Sequence, residues 1–270
     1  MKKDEEDIIE INKRQQIFYD TKEKNWATKI WYSLRNRNLQ KIRKSLNLEK
    51  QIQELHLEWC GDLSNKKVLD LGCYEGNSLS IYLAHNSKEY LAIDLSEKGI
   101  NHLSGRIKNI ENAQAVVVDF LSEDFQEGSF DLIYAYGVLH HFKNTNQLIA
   151  RLKEKLNENG TIISNDPLMT SFPVKVARGI YRPFQSDKDW EWPFTRKTYY
   201  KFAAAFEIKD RRGMLGRVKK LMLLNLLPFS EQKKTMIAEK WHNKDWENSR
   251  HSDIELFRCM HITMLMQKKN

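Results

Sequence analysis

Residues 68–78 read VLDLGCYEGNS: an apolar strand, an acid, then a glycine-bearing turn that opens onto a polar residue and a helix. That is the build of a nucleotide-binding turn at the carboxyl edge of a parallel sheet, where open α/β sheets take their ligands. A dinucleotide fingerprint needs a second glycine for close approach to the pyrophosphate and a third to pack the helix. Here Tyr74 and Asn77 stand in those places. Asp70, two residues before Gly72, would set a carboxylate against a bound pyrophosphate. A P-loop fails too, because no Gly-Lys-Ser/Thr follows the turn. The turn therefore asks for an adenosine ligand without phosphates, and with positive charge.

Outward from this turn, apolar runs of strand length alternate with helical stretches near 77–86, 97–109 and 145–157. The runs are KKVLDLG, YLAIDL, AVVVDF, FDLIYAY and GTIISN. Such alternation predicts parallel strands joined by right-handed crossovers, hence an α/β, doubly wound, Rossmann-like sheet. The first four strands end in Asp70-Leu71-Gly72, Asp94, Asp119-Phe120 and Tyr136-Gly137. Asp94, 18 residues after Gly76, is placed for its two oxygens to accept both hydroxyls of a ribose. Asp119 can accept from an adenine amine, Leu95 and Phe120 offer apolar faces to the purine, and Asp70 welcomes a sulfonium or ammonium group. The set fits S-adenosylmethionine.

Five segments in order, VLDLGCYEG, IDLS, VVVDF, FDLIYAYGVLHHF and LKEKLNENGTIISN, resemble the class I S-adenosylmethionine-dependent methyltransferases. Within that family the chain looks most like the small-molecule branch of ubiquinone and menaquinone methyltransferases, over about 66–166. The resemblance implies a seven-stranded sheet whose last strand, in FRCMHITMLMQK, is antiparallel. It puts Gly72, Cys73 and Gly76 on the cofactor turn and Tyr136 beside the methionine end. It implies methyl transfer to a small or medium-sized acceptor, with S-adenosylhomocysteine as product. Tyr74 departs from the family's glycine, so its backbone takes either a negative φ or a left-handed conformation costing about 1 kcal/mol. Its ring then points away from the cofactor or over the methionine end.

On the acceptor side, His140-His141 follow the fourth strand, and an imidazole titrating near neutrality can take a hydroxyl proton. Adjacent residues cannot both face one point, so one of the pair is expected to support the loop. This favours O-methylation of a glycosidic, lipid-linked or natural-product acceptor, with C- or N-methylation of a quinone or amine as the alternative. Arg178, Tyr181, Arg182, Trp190 and Trp192 mix guanidinium forks with aromatic faces and are candidate acceptor contacts. The sequence predicts a helical arm or lid over 1–60, with Tyr19, Trp26 and Tyr32 near the cofactor, then the catalytic domain over 61–270. Insertions are expected at about 167–195, which follows the fifth strand, and at 217–252, between the last two.

The chain has 270 residues and a net charge of +8, unevenly spread: residues 171–250 carry 18 basic against 9 acidic side chains, and 61–170 carry 10 against 15. Basic clustering raises nucleic acid as a rival partner. The Asn/Asp-Pro-Pro-aromatic run of adenine methyltransferases is missing after the fourth strand, where AYGVLHHF stands, and this argues against that partner. GRVKKLMLLNLLPF, apolar with a basic lead, marks about 217–229 for peripheral bilayer contact. Cys60, Cys73 and Cys259 form no C-x-x-C pair, and the histidines lack metal-like spacing, so no metal is expected. The charged N-terminus lacks a signal peptide's apolar centre, which predicts a cytoplasmic protein. Oligomeric state is left open.

Overall fold

In the computed structural model, which describes residues 2–21, 29, 40–182, 189–220 and 230–269, the apolar runs form one sheet. Its strands are β1 (Lys67–Leu71), β2 (Glu89–Asp94), β3 (Ala113–Val117), β4 (Phe130–Tyr136), β5 (Leu156–Pro167), β6 (Phe206–Met214) and β7 (His261–Lys268). They lie in the order β3-β2-β1-β4-β5-β7-β6. The first five pair in parallel, and β7 runs antiparallel between β5 and β6. This is the expected seven-stranded, doubly wound sheet, and its order reverses between β1 and β4. Helices cover both faces, so β1 and β4 are largely apolar on both, with Val68, Leu69, Leu132 and Ile133 buried.

Ahead of the sheet come α1 (Lys2–Thr21) and α2 (Leu48–Cys60); the crossovers are α3 (Ser78–Asn86), α4 (Glu97–Ile107) and α5 (Thr145–Lys155). Each crossover starts at a capping side chain just behind a strand tip. Asn77 Oδ1 accepts from the backbone N–H of Leu79 and Ser80 at 2.8 and 2.9 Å, and Ser80 Oγ accepts from Asn77 N at 3.1 Å. Asn77, where a dinucleotide turn has glycine, is thus the cap of a capping box. Ser96 Oγ accepts from Gly99 N at 3.0 Å, and Asn144 Oδ1 from Asn146 and Gln147 at 3.2 Å.

The first 60 residues are not a single arm. α2 belongs to the core: Ile52, Leu55 and Cys60 are buried, and His56 Nε2 meets Thr263 Oγ1 of β7 at 2.6 Å. α1 instead crosses the carboxyl edge of the sheet. Asn12 Nδ2 donates to Asp119 Oδ2 at 2.6 Å, Ser96 Oγ donates to Asp20 Oδ1 at 2.5 Å, and the Phe18 and Trp190 rings lie 5.4 Å apart. An uninterrupted helical texture hides this division, because two helices that bury against different partners share the same period.

Beyond β5 the chain forms α6 (Phe172–Tyr181) and α7 (Arg196–Ala205), and between β6 and β7 the long α8 (Glu231–His251). Among the described residues no helix is long and apolar enough to cross a membrane. The apolar run 221–229, Trp26 and Tyr32 lie outside the described residues.

Candidate active site

A cavity of about 570 Å³ opens outside the carboxyl ends of β1, β2 and β4, roofed by Ile11, Asn12 and Gln15 of α1. Its floor is the glycine turn. Gly72 N and Cys73 N both donate to Ile93 O, at 2.8 and 3.2 Å, which ties the turn to β2. Gly72 has φ +67°, and a Cβ there would lie 2.2 Å from Val138 Cγ2, so both backbone and space demand glycine. Tyr74 takes the left-handed option, with φ 47°. Asp94 Oδ2 accepts from its N–H at 2.9 Å, and its ring packs on α4, where a Cβ on Gly99 would come within 2.7 Å of Tyr74 Cδ2. Gly99 thus makes room for the tyrosine, a pairing invisible in the sequence because 25 residues separate the two.

Gly72, Cys73, Gly76, Asp94, Leu95, Asp119, Phe120 and Tyr136 all line this cavity. Burial raises the Asp94 carboxyl above the usual range, opposed by N–H groups of Ser96, Tyr74 and Leu95. Burial pushes the Cys73 thiol up as well, with Asp70 and Asp94 adding to the rise, which favours the protonated thiol. Asp119 Oδ1 accepts from Leu121 N at 2.9 Å. Asp70 does not line the cavity. Its carboxylate is buried beneath the turn, where Oδ2 accepts from Tyr90 OH at 2.7 Å and burial raises its pKa to about 6. Side chains alternate along a strand, so Leu71 takes the cavity side and Asp70 the core. Among the described residues, the carboxylates that reach the cavity are Glu75, Asp94 and Asp119.

The two histidines part company on the 3₁₀ turn Leu139–His141. His140 is buried: Asp166 Oδ1 lies 2.9 Å from its Nδ1 and accepts from its backbone N at 3.1 Å. His141 lines the cavity, with Nδ1 2.7 Å from the carbonyl oxygen of Trp190. A carbonyl only accepts, so Nδ1 carries the proton and the neutral ring's basic lone pair is on Nε2. The two rings lie 4.1 Å apart, tilted by 38°, and Trp192 N donates to His140 O at 2.7 Å, which locks the turn to the segment after α6.

Asp166 lies at the end of β5. Its Oδ2 is buried without a hydrogen-bond partner among the described residues. Burial raises its carboxyl pKa to about 7, with the His140 backbone N–H opposing. A folded-state pKa above the unfolded value of 3.8 gives stability that is complete below 3.8 and lost as pH rises through about 7. Asp166→Asn is therefore expected to flatten the fall in melting temperature between pH 4 and 8. Parallel curves for the two proteins would remove the proton from Asp166.

Of the other residues singled out, Trp192 lines the cavity. Trp190 does not: it is buried against Phe18 and serves through its carbonyl. Arg182 lines an adjoining cavity. The side chains of Tyr19, Arg178 and Tyr181 lie outside what the structure describes. Sequence reading passed over Asn12 and Gln15. The signal was present, since Ile11, Gln15 and Phe18 fall at i, i+4 and i+7 on one face of α1.

Residues 21–211 match the family model described as a methyltransferase domain. A ubiquinone biosynthesis O-methyltransferase of Acinetobacter baumannii (strain ACICU) is 26% identical over 144 residues, which cover 49% of this chain and 60% of that protein. The chain spans about half the length of the curated relatives it matches. Among solved structures, the N-methyltransferase NodS of Bradyrhizobium japonicum WM9, in complex with S-adenosylhomocysteine, aligns with TM-score 0.52 at 14% identity, over 82% of this chain and 87% of that one. A geranyl diphosphate C-methyltransferase of Streptomyces coelicolor A3(2) aligns with TM-score 0.55 at 12% identity, over 83% and 81%. These names span O-, N- and C-transfer, so the shared fold leaves the methylated atom open. Because the model match runs through most of the sheet and its cleft, the chain belongs to the methyltransferase-domain family, with the fold of the class I S-adenosylmethionine-dependent methyltransferases.

Proposed function

We propose that this protein transfers the methyl group of S-adenosylmethionine to an oxygen of a small or medium-sized acceptor, releasing S-adenosylhomocysteine. The observation that carries this reading is one cavity lined both by the carboxylates of Asp94, Asp119 and Glu75 and by His141. The donor set fits the cofactor. Asp94 uses its backbone contacts to brace the turn and has lone pairs left for ribose hydroxyls. Asp119 and the faces of Leu95 and Phe120 suit an adenine, and the carboxylates suit a cation. The cofactor supplies an electrophilic methyl carbon on sulfur. The chain's own work is to align an acceptor hydroxyl against that carbon and to take its proton on His141 Nε2. The Trp190 carbonyl and the neighbouring His140 ring hold the imidazole for this. α1 acts as the lid, with Asn12 on Asp119 as its latch.

Calorimetry with S-adenosylhomocysteine and, in parallel, NAD⁺ tests the reading. The first should bind and the second should not, since carboxylates at the turn repel a pyrophosphate. Asp94→Ala should weaken S-adenosylhomocysteine binding by about 1–3 kcal/mol, the worth of hydrogen bonds to a charged group. Unchanged affinity in that variant, or preferential NAD⁺ binding, would overturn the assignment.

A further inference from the structure

We propose that Asp166 is a positioning residue for methyl transfer: acting through His140, it sets the histidine turn so that His141 presents Nε2 to the cavity. The inference rests on the reading of His141 as the proton acceptor and adds the residue that aims it.

Asp166 is costly where it stands. It is 0% exposed on β5, in register with Ile262 of β7, and its Oδ2 has no hydrogen-bond partner among the described residues. A buried carboxyl with an unmet oxygen destabilises a fold, and such an exception needs a reason beyond packing. Closing the backbone of the turn is not that reason. His141 N already donates to Val138 O at 2.9 Å and Phe142 N to Leu139 O at 3.4 Å, so the 3₁₀ turn closes on its own groups.

What Asp166 adds is orientation. A single oxygen, Oδ1, accepts from His140 N at 3.1 Å and lies 2.9 Å from His140 Nδ1. An oxygen that accepts from the backbone N–H accepts from the ring as well, so His140 Nδ1 carries a proton. Held at both its peptide and its ring, His140 cannot rotate about either. The constraint then passes to His141. The two rings lie 4.1 Å apart, and His140 O accepts from Trp192 N at 2.7 Å. The Trp190 carbonyl, 2.7 Å from His141 Nδ1, fixes one nitrogen of that imidazole but by itself lets the ring swing about the bond. The fixed His140 ring limits the swing. The anchor is stiff, because β5 is paired on both sides, with β4 and with β7. Asp166 does not line the cavity, so it works through His140 rather than on the reacting atoms. A misplacement of about 1 Å can cost about 10²-fold in rate, which is what a fixed turn prevents.

Nitrogen NMR of the full chain with labelled histidine rings, at a pH where the imidazoles are neutral, tests this by showing which ring nitrogen carries each proton. In the wild type both rings should be protonated on Nδ1. Asp166→Ala should lose that preference at His141 and give a mixture of tautomers. Asp166→Asn, whose side-chain oxygen still accepts from His140, should restore it. Calorimetric affinity for S-adenosylhomocysteine should be unchanged in both variants, which a general loss of structure would not allow. Should Asp166→Ala not fold, Asp166→Leu, close to the carboxyl in shape, takes its place with the same expected loss. A wild-type His140 protonated on Nε2 alone, or a His141 tautomer that the Ala or Leu variant leaves as in wild type, would overturn the positioning role while the methyltransferase reading stands. Equal loss in Asp166→Asn would do the same, since charge rather than geometry would then hold the turn. A wild-type His141 protonated on Nε2 alone would remove it as the base, and this inference with it.

Discussion

His141→Ala is expected to lower turnover by about 10²–10⁴-fold, the ordinary worth of a positioned general base, and to leave S-adenosylhomocysteine affinity nearly unchanged. The two effects separate if, as proposed, His141 serves the acceptor and Asp94 and Asp119 hold the ribose and adenine; all three line the same cavity. The hydrogen bond from Nδ1 to the Trp190 carbonyl fixes which nitrogen can accept a proton. His140→Ala acts differently. It removes a side-chain donor from Asp166, a carboxyl buried at 0% exposure, and so lowers the melting temperature as well as turnover. Transfer of labelled methyl from S-adenosylmethionine to an acceptor, compared with calorimetric binding for each variant, distinguishes the two roles. Full turnover in His141→Ala would leave alignment alone as the source of rate, as for an acceptor already ionised.

Gly72→Ala is expected to destabilise the protein by about 2–4 kcal/mol, from left-handed strain plus overpacking. The new Cβ would lie 2.2 Å from one Val138 methyl and 3.3 Å from the other. Val138 leads into the histidine turn, so relief of the clash by movement of that residue would also displace His141. Gly137→Ala is the control. Its φ is +74° but nothing lies within 4 Å of the added Cβ, so it meets the backbone strain without the clash. For a chain of this size the Gly72 variant should melt roughly 5–15 °C below wild type, and well below the Gly137 variant. Equal melting temperatures for the two variants would show that Val138 does not enforce glycine at position 72.

Most of the architecture was legible in the chain. The strands were, because each is a short apolar run ended by Asp, Gly or Asn, and these signals act within a few residues. Crossover helices followed for the same reason, and their caps at Asn77, Ser96 and Asn144 make the strand-to-helix step a local event. The antiparallel β7 was legible through resemblance to the methyltransferase family. The division of residues 1–60 into a core helix and a lid was not, since α2 is fixed by Thr263 of β7, more than 200 residues away.

The site divides along the same line. The kinds of residue at the strand tips, and hence a cofactor that is cationic and lacks phosphates, came from the sequence, because residue type sets charge and hydrogen-bonding capacity wherever the side chain points. Direction needed the fold. Asp70 turned into the core while Leu71 met the cavity, His140 was drawn to Asp166 while His141 met Trp190, and Arg14 of the first helix was brought beside Arg182. Each of those choices was made by a partner distant in sequence. A side chain's orientation is settled by the contacts that bury it, and those exist only once the chain has closed on itself.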